Sequence, residues 1–535
     1  MVRLKDKNPA NNPYSLENPG EFLSLKAIER REKQNISYDS LDLPIAPVYI
    51  DSLLSTGIKI QNKSKWFNSV VAEMDSSRIE ELKKFSFVEE IIFLAPPKQF
   101  SKSKDNSGTQ SYEQAKFAEH LLSHGDSIYY EISANQIKLA HGHVLHENGY
   151  KGEGISIAVL DGGFNKVDKL PAFDSLWTNG RILGTRNFAD RENGVFRDHY
   201  HGTYVLSILG ANLPDKLYGS APEADYWLLR TEVTSSEYLV EEYNWIAAAE
   251  FADSAGADII NSSLGYSEFD DSSQNHTYEE LDGQTTPISK AAQIAANRGI
   301  LVVVSAGNLG NSPWNYISAP ADAYDILTVG ATNQYGDYVS FSSKGPSSDG
   351  RIKPEVSAQG QGTFFQSGDS SIVAGSGTSF SAPIISGLAA CLWQKNNESD
   401  YLEIRETIIR NSSQFDSPDT LLGFGIPDFA SAAGIEYMSA NSQQKITQGE
   451  PKVYPNPFRN SFTISFSNFR KDIDSINIKI INITGSVIYK KSIVSPAEGH
   501  NVSIDELKTS PPGIYFVEVR YNQNLFYRQK LIKVE

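Results

Sequence analysis

Between residues 128 and 437 the chain carries a series of short runs that are apolar at nearly every position, not at every second one. Ile155–Leu160, Tyr226–Leu229, Ile259–Ile260, Ile300–Val304 and Ile326–Val329 are each bounded by Gly, Asp or Asn. Stretches of helical period lie between them, Tyr243–Ala255 and Ile288–Arg298 being the clearest. A strand that is apolar on both sides must be covered on both faces, and helices alternating with such strands provide the cover. The pattern therefore predicts a three-layer α/β domain built on a parallel sheet.

The flanks differ in kind. Residues 1–96 mix strand-like runs (Val48–Ile50, Val70–Ala72, Ile91–Leu94) with charged helical stretches (Phe22–Lys33, Ser77–Phe85), as in a small α+β domain. The opening Met1–Lys7 has no apolar h-region and reads as part of a strand, not as a signal peptide. Residues 97–127 and 438–449 are polar and read as linkers. Residues 450–535 alternate with period two in Phe462–Phe466, Ile476–Ile480 and Tyr515–Val519. Turn residues such as Gly485 and Pro511–Gly513 separate these runs, which predicts a small antiparallel β-sandwich.

Charge narrows the choice of partners. With 48 Lys+Arg against 65 Asp+Glu the net charge is −17, which argues against nucleic acid or anionic lipid. No apolar run approaches the roughly 18 residues of a membrane helix. Cys391 is the sole cysteine, so no intrachain disulfide is possible. Among Leu388, Ala389, Ala390 and Leu392 it reads as a buried small hydrophobe.

Four motifs in the α/β region carry chemistry, each where a strand ends or a helix begins. Ile157–Leu160 delivers Asp161 at a strand end, followed by Gly162 and Gly163; such a carboxylate can fix a histidine tautomer or simply cap the next turn. His201, followed by Gly202, Thr203 and an apolar run, falls at a helix N-terminus. His199, two residues earlier, reads as an exposed loop histidine. Val302–Val304 leads to Asn308, whose amide could stabilise an oxyanion or end the strand in a turn. Gly375–Thr378 opens into Ser379 at the first turn of an apolar helix. There its own N–H and the positive helix end favour an oxyanion, and Pro383 reads as an early-helix proline.

Taken together, in the order Asp, His, Asn, Ser, these motifs make residues 128–437 resemble a subtilisin-like serine protease of the subtilase family. The resemblance implies Ser379 as nucleophile, His201 as general base and then acid, and Asp161 as the group that orients His201. Asn308 with the Ser379 N–H would form the oxyanion hole. It implies hydrolysis of protein and peptide substrates through an acyl-enzyme, with no cofactor. One departure stands out: the family has Ser or Thr after the aspartate, and here it is Gly162. Ser263, Leu264 and Gly265 resemble the strand that pairs with the substrate backbone. Ser305, Ala306 and Gly307 would wall the specificity pocket, with Ser318–Pro320 as its floor. These residues are small and uncharged, which implies a preference for bulky apolar or aromatic side chains before the scissile bond. The acidic stretch from Glu268 to Gly283 looks inserted; a calcium site and a solvated loop both stay open for it, and no metal is assigned.

Residues 1–96 resemble the prodomains of secreted subtilases, which act as intramolecular inhibitor and folding chaperone, so the precursor would be a zymogen with its processing region in 97–127. Residues 450–535 resemble the C-terminal sorting domain of the type IX secretion system of Bacteroidota, on Val453–Pro457, Ile483–Ser486, Gly513–Val519 and Gln529–Glu535. That implies the type IX machinery as a partner and a secreted or cell-surface location. The competing reading is a catalytically silent subtilase-fold adhesin or binding scaffold; silent members usually lose one of the four residues, and all four stand here.

Overall fold

The computed structural model describes residues 1–8, 11–96, 131–191, 193–437, 451–466, 475–482, 486–494, 501–521 and 525–534. The expected linkers 97–127 and 438–449 lie outside the described residues, as do Ile483–Gly485. The chain forms two compact units, Met1–Ile435 and Glu436–Glu535.

The first unit opens with an antiparallel sheet of β1 (Val2–Leu4), β2 (Lys59–Ser64), β3 (Ser69–Glu73) and β4 (Val88–Ile91), in the order β2-β3-β1-β4. Among the described residues three α-helices accompany it, α1 (Leu25–Lys33), α2 (Pro47–Ser55) and the single turn Ile79–Leu82. Residues Val48–Ile50, expected as a strand, lie inside α2. Pro47 occupies the first turn, where its fixed φ suits a helix, and Ile50 with Leu53 then forms one buried face while Val48 is exposed. Val2, Leu4, Ile50, Leu53, Val70 and Leu82 make a small core of their own.

The α/β part is built on a seven-stranded parallel sheet: β5 (Ser156–Asp161), β6 (Ile182–Asn187), β7 (Asp225–Arg230), β8 (Ile259–Ser262), β9 (Leu301–Ser305), β10 (Leu327–Thr332) and β11 (Val356–Gln359). The spatial order is β11-β10-β9-β8-β5-β7-β6, so β5 lies inside the sheet. Alternate residues feed two cores. Ile157, Val159, Leu301 and Val303 pack with residues of α3 (His201–Gly210) and α6 (Thr378–Lys395). Ala158, Leu160, Val302 and Val304 pack with α4 (Val240–Ala255) and α5 (Pro287–Asn297). This double burial is what apolar runs without alternation require. Met1, Trp66, Val71 and Leu94 of the N-terminal region join the second core, so that region and the parallel sheet belong to one compact unit.

The second unit has two antiparallel sheets. One holds Lys452–Tyr454, Phe462–Ser465 and Asn501–Ile504; the other holds Ser475–Asn482, Val487–Val494, Gly513–Tyr521 and Leu525–Lys533. Ile464 and Val502 of the first meet Ile478 and Val517 of the second in a single core, a small sandwich.

Candidate active site

The site lies at the C-terminal ends of β5, β8 and β9. Asp161 closes β5, fully buried, and both of its carboxylate oxygens lie on Nδ1 of His201, at 2.9 and 3.0 Å. Oδ1 also accepts the Gly162 N–H at 2.7 Å. His201 is the first residue of α3. Glycines let the two segments approach: the Gly202 N–H donates to the Gly163 carbonyl at 2.9 Å. A Cβ at Gly202 would lie 2.6 Å from that oxygen. Burial of the imidazole disfavours its charge, but the Asp161 carboxylate and its hydrogen bond outweigh this, and the pKa is raised above the ordinary 6.5. An Nδ1–H held by a carboxylate leaves Nε2 as the free base.

Ser379 is the second residue of α6. Its hydroxyl donates to the Ser263 carbonyl at 3.3 Å, while the Ser263 hydroxyl donates back to the Ser379 carbonyl at 2.9 Å. The second bond has a cause in the sequence. Pro383 was expected early in its helix but sits at the sixth position, where it has no N–H for the carbonyl four residues back, which is that of Ser379. Ser263 satisfies the orphaned group. Among the described residues no hydrogen bond joins Ser379 to His201. The imidazole is nevertheless close, 6.3 Å between ring centroids from Phe380, the next residue of the helix.

Asn308 follows β9 through Gly307, whose φ of +105° suits glycine. The Asn308 Oδ1 accepts the Thr378 N–H at 2.8 Å and the Thr378 hydroxyl at 3.0 Å. Two donors on one atom identify it as the oxygen, and the amide N–H pair, which has no partner among the described residues, is left to face the site. Thr378 also accepts the Gly307 N–H at 3.1 Å. Sequence reasoning missed Thr378 as the residue that aims the amide; its place in Gly-Thr-Ser immediately before the candidate nucleophile was the available signal.

His199 is half-buried, not an exposed loop histidine. Its Nδ1 accepts the His201 N–H at 3.3 Å. A Cβ on Gly162 would lie 3.5 Å from that Nδ1 and 3.7 Å from the Glu232 side chain, so these two residues fill the space beside the glycine that departs from the family pattern. Glu232 is a further residue the sequence did not flag. Its Oε1 accepts the hydroxyls of Tyr266 (2.6 Å) and Thr231 (2.7 Å), and burial pushes its carboxyl up to about 7.

The proposed substrate strand follows β8. Ser263 is buried, Leu264 half-buried and Gly265 exposed, and the backbone groups of Leu264 and Gly265 bond to no other backbone among the described residues. Gly265, Gly307 and Ser318 converge: a Cβ on Gly265 would lie 3.1 Å from Ser318 Cβ, and one on Gly307 would lie 3.3 Å from Ser318 Oγ and 2.9 Å from Ser343 Oγ. Ser343 was not anticipated. The Ala306 methyl packs into the helix-covered core, which leaves only its backbone for the pocket, and Ser305 is buried at the end of β9.

In the acidic insertion the carboxylates accept hydrogen bonds from their own loop and from Glu237. Asp271 accepts from Ser273, Asp282 from Gln284 and Thr285, and Asp270 from the Glu237 N–H. Among the described residues one trio of side chains could hold a metal ion, Glu232, Glu237 and Glu241, with ligand atoms within 4.8 Å of one another. Both Glu241 oxygens already accept backbone N–H groups, of Val233 and Tyr238. Cys391 is buried, its thiol pushed well up by burial.

Known families match three parts of the chain: the Bacteroidota propeptide domain of peptidase S8 over residues 1–111, the Subtilase family over 152–425, and a secretion system C-terminal sorting domain over 452–534. Subtilisin E of Bacillus subtilis is 28% identical over 378 residues, 68% of this chain and 81% of that protein. A thermostable alkaline protease of Halalkalibacterium halodurans is 30% identical over 283 residues, covering 52% and 68%. Subtilisin Savinase of Lederbergia lenta is 29% identical over 282 residues, covering 52% and 91%.

Proposed function

Since the chain belongs to the subtilase family of serine proteases, we propose that Asp161, His201, Asn308 and Ser379 are the machinery of its peptide hydrolysis. The protein is a secreted serine endopeptidase carrying a propeptide and a type IX sorting domain. The observation that carries the assignment is the pairing of a fully buried Asp161 with His201 across 40 residues, beside a serine at a helix start and an amide held by its oxygen.

The steps follow from these positions. Rotation about χ1 swings the Ser379 hydroxyl from the Ser263 carbonyl towards Nε2 of His201, which takes its proton as Oγ attacks the scissile carbonyl. The imidazolium formed is stabilised by Asp161. The negative oxygen is met by the Asn308 amide and by the Ser379 N–H at the start of α6. His201 then protonates the leaving amine, and water repeats the sequence on the acyl-enzyme. The substrate backbone adds as a strand along Ser263–Gly265, and its preceding side chain enters the pocket among Gly265, Gly307, Ser318 and Ser343. That lining is small and uncharged, so Phe and Leu are preferred there; a fluorogenic panel in which Lys or Glu did better would reverse this.

An organophosphonate probe should label the mature enzyme on Ser379, and Ser379→Ala should abolish both labelling and hydrolysis. Wild-type hydrolysis by that variant would refute the assignment. No observation favours the silent-scaffold reading.

A further inference from the structure

The N-terminal region grips the catalytic sheet far from the site. In α1, Arg30 donates to the carbonyls of Ala257 (2.5 Å), Asp253 (3.2 Å) and Arg298 (3.2 Å) and to the Asp253 carboxylate (2.6 Å). Arg31 bridges the same carboxylate oxygen, at 2.8 Å, to Asp42, at 3.0 Å. The side chains of Arg31, Asp42 and Asp253 are fully buried. Lys65 reaches the second oxygen of Asp253 at 3.2 Å. Around this centre Lys26 pairs with Asp258, Asp39 with Arg298, and Gln34 donates to the Gly299 carbonyl.

Ala257 and Asp258 immediately precede β8, Arg298 and Gly299 precede β9, and Lys26 also reaches Ser156, the first residue of β5. All of these are N-terminal strand ends, whereas Asp161, Ser263 and Asn308 stand at or beyond the C-terminal ends. Six residues of β5 separate the two edges by roughly 17 Å at about 3.3 Å per step. Near the end of the described prodomain, the Leu94 carbonyl is held separately, by the Gln274 amide at 3.0 Å.

We propose that the N-terminal edge of the catalytic sheet is an anchoring exosite for the prodomain, in which Asp253 receives the paired guanidinium groups of Arg30 and Arg31, so that the prodomain stays bound after the linker is cut and after substrate has taken the cleft. Charge and burial agree on this occupant. Three cations of the prodomain surround one carboxylate of the catalytic part, and two of the three are arginines, whose planar donors reach carbonyls and carboxylate together. Burial opposes the Asp253 charge, but Lys65, Arg30 and Arg31 outweigh it and hold the carboxyl far below the usual range, so mild acid does not undo the anchor. Removing one side would strand a buried charge. The inference rests on reading residues 1–96 as a prodomain but not on the catalytic assignment, since it concerns binding alone.

The test uses the full chain with Ser379→Ala, so that it cannot digest itself, and a site-specific protease sequence placed between residues 97 and 127. After cutting, the two parts should co-elute in gel filtration. Arg30→Ala with Arg31→Ala should speed their separation by about 100- to 1,000-fold, the penalty expected when a buried carboxylate loses two of its three cations and keeps only Lys65. Gln274→Ala, at the far attachment, should change it only a few-fold. A double variant that separated at the parent's rate would overturn the proposal. Should the double variant fail to fold, hydrogen exchange on the cut parent decides. Amides of Leu25–Lys33 must stay as protected as in the uncut chain while an oligopeptide substrate saturates the cleft; loss of that protection would overturn the proposal equally.

Discussion

The amide of Asn308, proposed for the oxyanion, is fixed through its oxygen by Thr378, and the imidazole of His201 is fixed through Nδ1 by the Asp161 carboxylate. Thr378 occupies the Asn308 oxygen, so the amide N–H groups have one direction left. Asn308→Ala should therefore lower kcat by about 10²- to 10³-fold with KM nearly unchanged, because the lost donor acts mainly on the transition state. Thr378→Val should lower kcat in the same sense but by less, because the backbone N–H of residue 378 still holds the amide oxygen; an unchanged kcat would show that the threonine hydroxyl does not help to aim it. For His201 the sign of the pH effect follows from its partner. Asp161 raises the imidazole pKa, and only the neutral ring accepts the serine proton. The rising limb of kcat/KM should thus have its midpoint above 6.5, and a midpoint below that value would contradict the pairing described.

Helix α6 does two jobs that its sequence shows only in part. Its start presents Ser379, and Pro383 inside it removes the bond that would have occupied the Ser379 carbonyl. The Ser263 hydroxyl fills the vacancy, tying the Ser379 backbone to the proposed substrate strand. In a Ser379→Ala background, Ser263→Ala should destabilise the protein by about 1–3 kcal/mol, the cost of an unpaired buried acceptor. With Pro383→Ala also present, the restored helical N–H serves the carbonyl, and the penalty of Ser263→Ala should shrink by about 1 kcal/mol. Urea unfolding of the four variants measures this; strict additivity would reject the link. Helix α2 shows the opposite limit. Val48–Ile50 has the composition of a strand, and only Pro47 in front and Leu53 behind it make a helix the better solution. A three-residue apolar run cannot distinguish the two periods.

Across the whole first unit, the prodomain and the parallel sheet share a core and a buried ionic centre, so any separation of the two must open both. A second buried carboxylate gives that separation a pH dependence. Glu250 of α4 accepts the N–H groups of Lys65 (2.7 Å) and Trp66 (3.1 Å) and the Ser64 hydroxyl. Burial raises its pKa from 4.5 to about 7, against the charge of Lys65. The docked form holds the proton more tightly than the separated form. Docking should be strongest near pH 4.5, weaken as the pH rises towards about 7, by up to about tenfold per pH unit, and level off above. Dissociation constants of the cut complex between pH 4 and 8 would measure this, and Glu250→Gln should flatten the curve. Neighbouring Asp253 has the opposite sign: the prodomain cations hold it ionised in the docked form, so its contribution is lost as the pH falls towards its ordinary 3.8 and below.

The sequence by itself determined the double-sided strands, the helices that cover them, the period-two sandwich and the four chemical groups at strand and helix ends. Each of these is a local pattern, set by where apolar side chains recur and where glycine or a polar residue stops them. The tertiary structure decided how those groups are held: Thr378 on Asn308, Ser263 on the carbonyl that Pro383 leaves open, His199 and Glu232 beside Gly162, and two arginines on Asp253 more than 200 residues away. No periodicity encodes such pairs, because a hydrogen bond or ion pair depends on separation in space, and residues far apart in the chain acquire that only once the sheet has formed.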